Sequence, residues 1–399
     1  MKKILLFLVL LIPCTCLALD NPDLYSKAYI VYDETDNRLI LEHNSNEQRA
    51  IASLTKMMST IIAIEKNPDL NKKVTITQEM LNTVPWDAAI IHLKVGDELT
   101  VEDLIYATLL PSGADAVNSL AIATAGDLPS FVKLMNEKAQ ELGLTNTSFE
   151  NPIGMDHKNN YSTASDVHKL LKYVLANEQF KKMFESKEFT MSNGVKVEAT
   201  AKTFGDQINL DTSRIIGDKT GFTDPAEFCI AYEFTSHDHL YYAVTLGAPV
   251  ENFKDFKHLR DANSIINFVD NNYSYVTIVN KDSLYKDIDV INSSIDKLAI
   301  NYDKDITILL PNDYNKEDIK ITDNLPVNIS YKNKKGEQIG TLNIHYNGEL
   351  IYTQDVILNE NIKPSVKEYI KIHFVELLLL VFIVIALISL TIFVIKRHK

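Results

Sequence analysis

The chain has 399 residues, a formal net charge of −13 and 46% hydrophobic residues. That length suits two globular domains of ordinary size, each able to bury its own core. The acidic balance excludes a sequence-independent nucleic-acid binder, which needs a basic stripe, so no nucleic-acid partner is expected.

Lys2 and Lys3, the apolar run Ile4 to Ile12 and the small residues before position 19 read as a secretory signal over 1–18, cleaved after Ala18. Cleavage there removes Cys14 and Cys16 and leaves Cys229 alone in an apolar run, where it reads as a small core residue with no disulfide partner. Ala28 to Asp33 and Arg38 to Glu42 are β-favouring runs around a polar turn at 34–37. Leu54 to Glu65 carries Leu54, Met57, Met58, Ile61 and Ile62 at helical spacing, with Ser53 where a cap belongs. Thr100 and Asp103 resemble a capping box that opens a helix through Leu109. Pro111-Ser112-Gly113 breaks that helix, and Ala114 to Ala125 resumes it. Phe131 to Leu142 is amphipathic, with Ser130 as a cap at its start and Gly143 at its end. β character returns after Lys196, with strands at Phe228 to Phe234 and Leu240 to Leu246, before a helix from Leu259 to Val269. Strands, helices, strands and a closing helix predict an α+β domain over 24–272, a sheet covered by helices.

Residues 275–358 differ: short apolar runs alternate with Asn, Asp, Lys and Gly turns, which predicts a small all-β domain. A linker is expected over 359–373. From Phe374 to Ile395 nearly every residue is apolar, long enough for one transmembrane helix, and the basic tail 396–399 places that end in the cytoplasm and the rest outside the cell.

Three features carry chemistry. Ser53 and Lys56, three apart on a helix, share a face, and a partly desolvated lysine can act as the base that a serine nucleophile needs. The spacing alone selects little, since Ser130/Lys133, Ser283/Lys286 and Ser294/Lys297 share it. Ser53 stands apart because its helix continues into a strongly apolar run. Ser112 sits on a helix break, which exposes a side chain to a cleft or simply makes a turn. Lys219-Thr220-Gly221 offers a cation and a hydroxyl for a carboxylate, with a glycine for close backbone approach. The ten His residues show no metal-ligand spacing.

In that order the three features form the trio found in penicillin-binding proteins and class A β-lactamases. Ile51 to Ser59, Leu110 to Ala116, Asn151 to Met155, Tyr161 to Ala164 and Asp218 to Asp224 resemble the low-molecular-mass penicillin-binding proteins, D-alanyl-D-alanine carboxypeptidases of the penicillin-binding protein 5 type, over about Lys27 to Asn272. The β-rich domain and the C-terminal anchor fit the same layout. The resemblance implies a β-lactamase/transpeptidase-like antiparallel sheet flanked by helices. It implies that Ser53 attacks the carbonyl between two D-alanines, Lys56 takes its proton and Ser112 relays a proton to the leaving group. Lys219, Thr220 and Gly221 would frame the carboxylate site, with Arg260 near it, and the amides of Ser53 and Phe222 would form an oxyanion hole. Peptidoglycan stem peptides are the implied substrates and β-lactams the implied inhibitors, with no metal or cofactor.

Two positions depart from the family pattern. Ala114 stands where an asparagine is usual, with Asn118 one turn on as a candidate substitute, and Glu227 stands where a glycine is common. The first departure and the β-rich second domain motivate an alternative, a non-catalytic wall-binding or penicillin-sensing protein. A β-lactamase using Glu150 is the third reading.

Overall fold

The structure, a computed structural model, describes residues 21–252 and 254–397; the expected signal over 1–18 lies outside the described residues. The chain divides into two units after Asn272.

The first unit opens with β1 (Ala28–Asp33) and β2 (Arg38–His43), then α1 (Lys56–Lys66), β3 (Lys73–Thr75), α2 (Gln78–Asn82), β4 (Glu98–Thr100), α3 (Val101–Leu109), α4 (Ala114–Ala125) and α5 (Leu128–Glu141). It continues with α6 (Ala164–Leu175), α7 (Glu178–Phe184), β5 (Glu188–Thr190), β6 (Lys196–Glu198), α8 (Thr200–Gln207), β7 (Gly217–Thr223), β8 (Glu227–Ser236), β9 (His239–Ala248) and α9 (Lys257–Asn272). Five strands form one antiparallel sheet in the order β2-β1-β9-β8-β7, so the first hairpin joins the last three strands across β1 and β9. This is the α+β fold expected, an antiparallel sheet flanked by helices.

α1 has no polar face over most of its length and is buried from Lys56 to Ile64. It contacts α3, α4, α5, α6 and α7, so the helices pack around it. Leu54, Met57 and Met58 are fully buried, each contributing about 1.5–3 kcal/mol on burial. A helix so enclosed fixes its first residue, Lys56, from all sides.

The local signals mostly hold. The Thr100 hydroxyl accepts from the Asp103 amide at 3.0 Å, and the Asp103 carboxylate accepts from the Thr100 amide at 2.9 Å, a complete capping box on α3. α5 starts earlier than expected, because Asp127 and not Ser130 is its cap and accepts from the Ser130 amide at 2.7 Å. Pro129 then falls inside the first turn, where its missing N–H costs nothing.

The second unit is built from β10 (Tyr273–Val279), β11 (Leu284–Ile291), β12 (Lys297–Asn301), β13 (Ile306–Pro311), β14 (Ile319–Asp323), β15 (Asn328–Ser330), β16 (Gln338–Tyr346) and β17 (Glu349–Ile357). Ile288, Ile308, Leu310, Leu342 and Ile344 centre its own core. The stretch read as a linker contains a short helix, α10 (Val366–Ile372), because the Ser365 hydroxyl caps it from the Glu368 amide. α11 (Phe374–Arg397) follows, long and apolar enough to cross a membrane, with mean hydropathy 3.3.

Thr100→Ala removes one half of the α3 cap. It is expected to lower stability by about 1 kcal/mol, measured by urea unfolding of the full chain.

Candidate active site

Ser53 does not cap α1. It lies in a 3-10 turn, Ala52–Thr55, that leads into α1, and Lys56 Nζ stands 2.7 Å from its Oγ. The other partner of Lys56 is the Ile153 carbonyl, at 2.8 Å. That carbonyl belongs to a loop organised by Asn151, whose side chain accepts from the amides of Gly154 and Met155 and donates to the Met155 carbonyl. Ser59, on the next turn of α1, donates to the Pro152 carbonyl at 2.7 Å. The Asn151 run therefore holds the lysine, a role the residue pattern alone did not assign.

Two glycines make the turn possible. Gly154 has φ +86, and a Cβ there would stand 1.9 Å from the Ala52 carbonyl oxygen. Gly221 on β7 would place a Cβ 2.9 Å from the Ser53 amide nitrogen. The absent side chain thus admits the serine's own turn, whereas the sequence suggested room for a ligand. Ala52 itself sits at φ +45, a strained conformation for a residue with a side chain, directly before Ser53.

β7 brings Lys219 to the same place. Lys219 is fully buried and donates to the Thr220 carbonyl at 3.0 Å. The Thr220 hydroxyl donates to that of Thr200, at the start of α8, at 2.6 Å. Burial pushes the Lys219 amine down to about 8, with the neighbouring Asp218 carboxylate opposing. Lys56 is pushed well below the usual lysine range, by burial first and then by the positive charge of Lys219, against the pull of Asp115. Two amines in one dry site disfavour double protonation, so the one beside the serine is poised as a base.

Ser53, Lys56, Ala114, Ile153 and Phe222 line a cleft of about 390 Å³. Ser112 sits at φ +66 on the break between α3 and α4, buried, its hydroxyl with no partner among the described residues. Phe222 packs on Phe228, ring centroids 5.1 Å apart. Arg260 does not line the cleft; its Nε is 2.6 Å from Asp255 Oδ1.

The departures have physical explanations. Ala114 packs with Val117 and Ile153 in an apolar cluster, and Lys56 keeps two partners without an amide there. Asn118 is no substitute, because it donates to the Thr83 carbonyl and hydroxyl. Glu227 adopts φ +58, the conformation that favours glycine, and its carboxylate is 2.6 Å from Lys27 Nζ and 3.8 Å from Arg49 Nη2. Glu150 is outside the cleft lining and accepts from the Asn159 side chain.

The other Ser-x-x-Lys pairs lack this burial. Lys133 is exposed beside Glu137, Lys286 is 2.7 Å from Asp323, and Lys297 is exposed. Asp33, Asp36 and His239 do converge, to within 4.8 Å, against the absence of ligand spacing in the sequence. Their arrangement is an ion-paired hairpin contact: His239 Nδ1 is 2.8 Å and Arg38 Nη2 3.7 Å from Asp33.

Residues 16–250 match the family model described as D-alanyl-D-alanine carboxypeptidase, and residues 273–364 match that of the penicillin-binding protein 5 C-terminal domain. The D-alanyl-D-alanine carboxypeptidase DacF of Bacillus subtilis is 27% identical over 351 residues, 85% of this chain and 86% of the relative. Penicillin-binding protein 5 from Haemophilus influenzae shares the fold, with TM-score 0.62 at 22% identity over 87% of this chain and all of that one. The Streptomyces K15 DD-transpeptidase matches with TM-score 0.56 at 26% identity, over 62% of this chain and 98% of its own.

Gly154→Ala forces a side chain into the Ala52 carbonyl at a positive φ. A loss of more than about 1 kcal/mol is expected, read as a lower thermal midpoint than for the unaltered protein.

Proposed function

Because the chain belongs to the D-alanyl-D-alanine carboxypeptidase family, we propose that Ser53 is the nucleophile of a serine-type carboxypeptidase that removes the terminal D-alanine from peptidoglycan stem pentapeptides. The observation that carries this reading is the buried Lys56 amine 2.7 Å from the Ser53 hydroxyl. The neutral amine takes the hydroxyl proton as Oγ attacks the carbonyl between the two D-alanines. The substrate carboxylate sits against Lys219 and Thr220. The amides of Ser53 and Phe222 hold the oxyanion, a reading supported by the close approach of Gly221, the residue before Phe222, to the Ser53 amide. Ser112, whose hydroxyl has no partner among the described residues, passes the proton to the leaving D-alanine. Water then hydrolyses the acyl-enzyme.

A β-lactam presents a strained amide beside a carboxylate and acylates the same serine. Arg260, held by Asp255, has no part in this reading. The part of the non-catalytic alternative that rested on Ala114 loses its motive, since Lys56 keeps two partners without an amide at position 114. α11 anchors the protein in the cell membrane, its basic end in the cytoplasm and the catalytic domain outside.

Mass spectrometry after penicillin treatment is expected to show one covalent adduct on Ser53, absent from Ser53→Ala, which also loses D-alanine release by about 10⁴-fold or more. An unchanged rate in that variant would refute the assignment. The pH profile of kcat/KM follows from the two amines. It rises on the acid side as Lys56 loses its proton, well below the usual lysine range. It falls above a pH of about 8 as Lys219 loses the charge that holds the substrate carboxylate.

A further inference from the structure

The two β7 side chains proposed to hold the substrate carboxylate are both enclosed. Lys219 is 0% exposed, and its ammonium turns to the Thr220 carbonyl. Thr220 is 4% exposed, and its hydroxyl donates to the Thr200 oxygen at 2.6 Å. A hydroxyl has one proton to give. With that proton directed to Thr200, Thr220 presents lone pairs to an anion.

Thr200 is placed differently. It is half-buried, and its own hydroxyl proton has no acceptor among the described residues. It lines a cavity of about 540 Å³ that also takes in Pro111, the residue before Ser112. That cavity therefore adjoins the leaving-group side of the site. Helix formation does not account for the hydroxyl: Ala199 occupies the cap position of α8, and no side chain bonds there. The start of α8 is nonetheless fixed. The Asp218 carboxylate on β7 accepts from the Ala201 amide at 3.3 Å, and the Ala199 amide donates to the Lys187 carbonyl at 2.9 Å. An oxygen that accepts one hydrogen bond donates a stronger one, so Thr220 polarises the Thr200 hydroxyl toward an anion.

We propose that the Thr200 hydroxyl donates directly to the carboxylate of the leaving D-alanine, with Thr220 acting through it. The inference rests on Ser53 being the acylated residue and on the carboxylate lying beside β7.

The test uses the full-length enzyme and two donors of one acyl group. The first is Nα,Nε-diacetyl-L-lysyl-D-alanyl-D-alanine. The second is the phenyl thioester of Nα,Nε-diacetyl-L-lysyl-D-alanine, whose leaving group has no carboxylate. Thr200→Val keeps the side-chain shape and removes the hydroxyl. It is expected to lower kcat/KM for the peptide about ten- to hundredfold, the size of one hydrogen bond to a charged group, chiefly through KM. The same variant lowers kcat/KM for the thioester by no more than about twofold, because no carboxylate is bound there. Thr200→Ser restores most of the peptide rate. Thr220→Val costs the peptide less than Thr200→Val does, since Thr200 keeps its own proton to give.

Equal losses for both donors in Thr200→Val make the residue a support of the fold and overturn the inference. So does an unchanged peptide rate, and so does a larger loss in Thr220→Val than in Thr200→Val. Any of these with a penicillin adduct still formed on Ser53 overturns this inference alone. No adduct overturns it together with the reading it rests on.

Discussion

Two buried lysine side chains, close enough for the charge of one to bear on the other, set the terms for the candidate site. Lys56 and Lys219 are both enclosed, and the charge of Lys219 disfavours a charge on Lys56. Water does not solvate them, so each depends on the few acceptors the fold supplies. Lys56 has a hydroxyl and a carbonyl, with Asp115 as a more distant counter-charge. Lys219 has a carbonyl and the adjacent Asp218. Neither has an ion pair among the described residues, and that is what fits one for the proposed role of base and the other for holding a carboxylate. A lysine neutralised by a close carboxylate, as Lys286 is by Asp323, could do neither.

The scaffold follows from that requirement. α1 is apolar nearly all round so that its first residue can be a lysine in a dry place. The Asn151 loop supplies the carbonyl, and its own backbone groups are satisfied by the Asn151 side chain. β7 approaches because position 221 has no side chain. Asp218, just before Lys219, is buried as well and accepts from the Ala201 amide at the start of α8, which joins that helix to the strand.

Much of this was legible in the residues. Periodicity found α1, the Thr100 and Asp103 pair marked the start of α3, and the Lys-Thr-Gly strand does meet the turn of the Ser-x-x-Lys segment, at Gly221 and Ser53. What was not legible depended on non-local contacts. Ser53 looked like a cap because its position is local, while its hydroxyl is directed to Lys56. Asn118 lies one helical turn from the vacant amide position, yet it faces Thr83. Glu227 reads as an anomaly until Lys27 and Arg49, distant in sequence, appear beside it. Arg260 was implied by the resemblance alone, and side-chain direction on α9 is invisible at that level.

The turn that carries Ser53 is pressed between two backbones, the Asn151 loop at Gly154 and strand β7 at Gly221, with no side chain on either contact. Neither position can gain even a methyl group without displacing the reactive serine. If Ser53 is the residue that antibiotics acylate, as proposed, substitution at these two glycines disturbs the serine's own turn along with drug capture. Heritable change that weakens drug capture while sparing the enzyme has to arise farther out, where the walls of the cleft carry replaceable side chains.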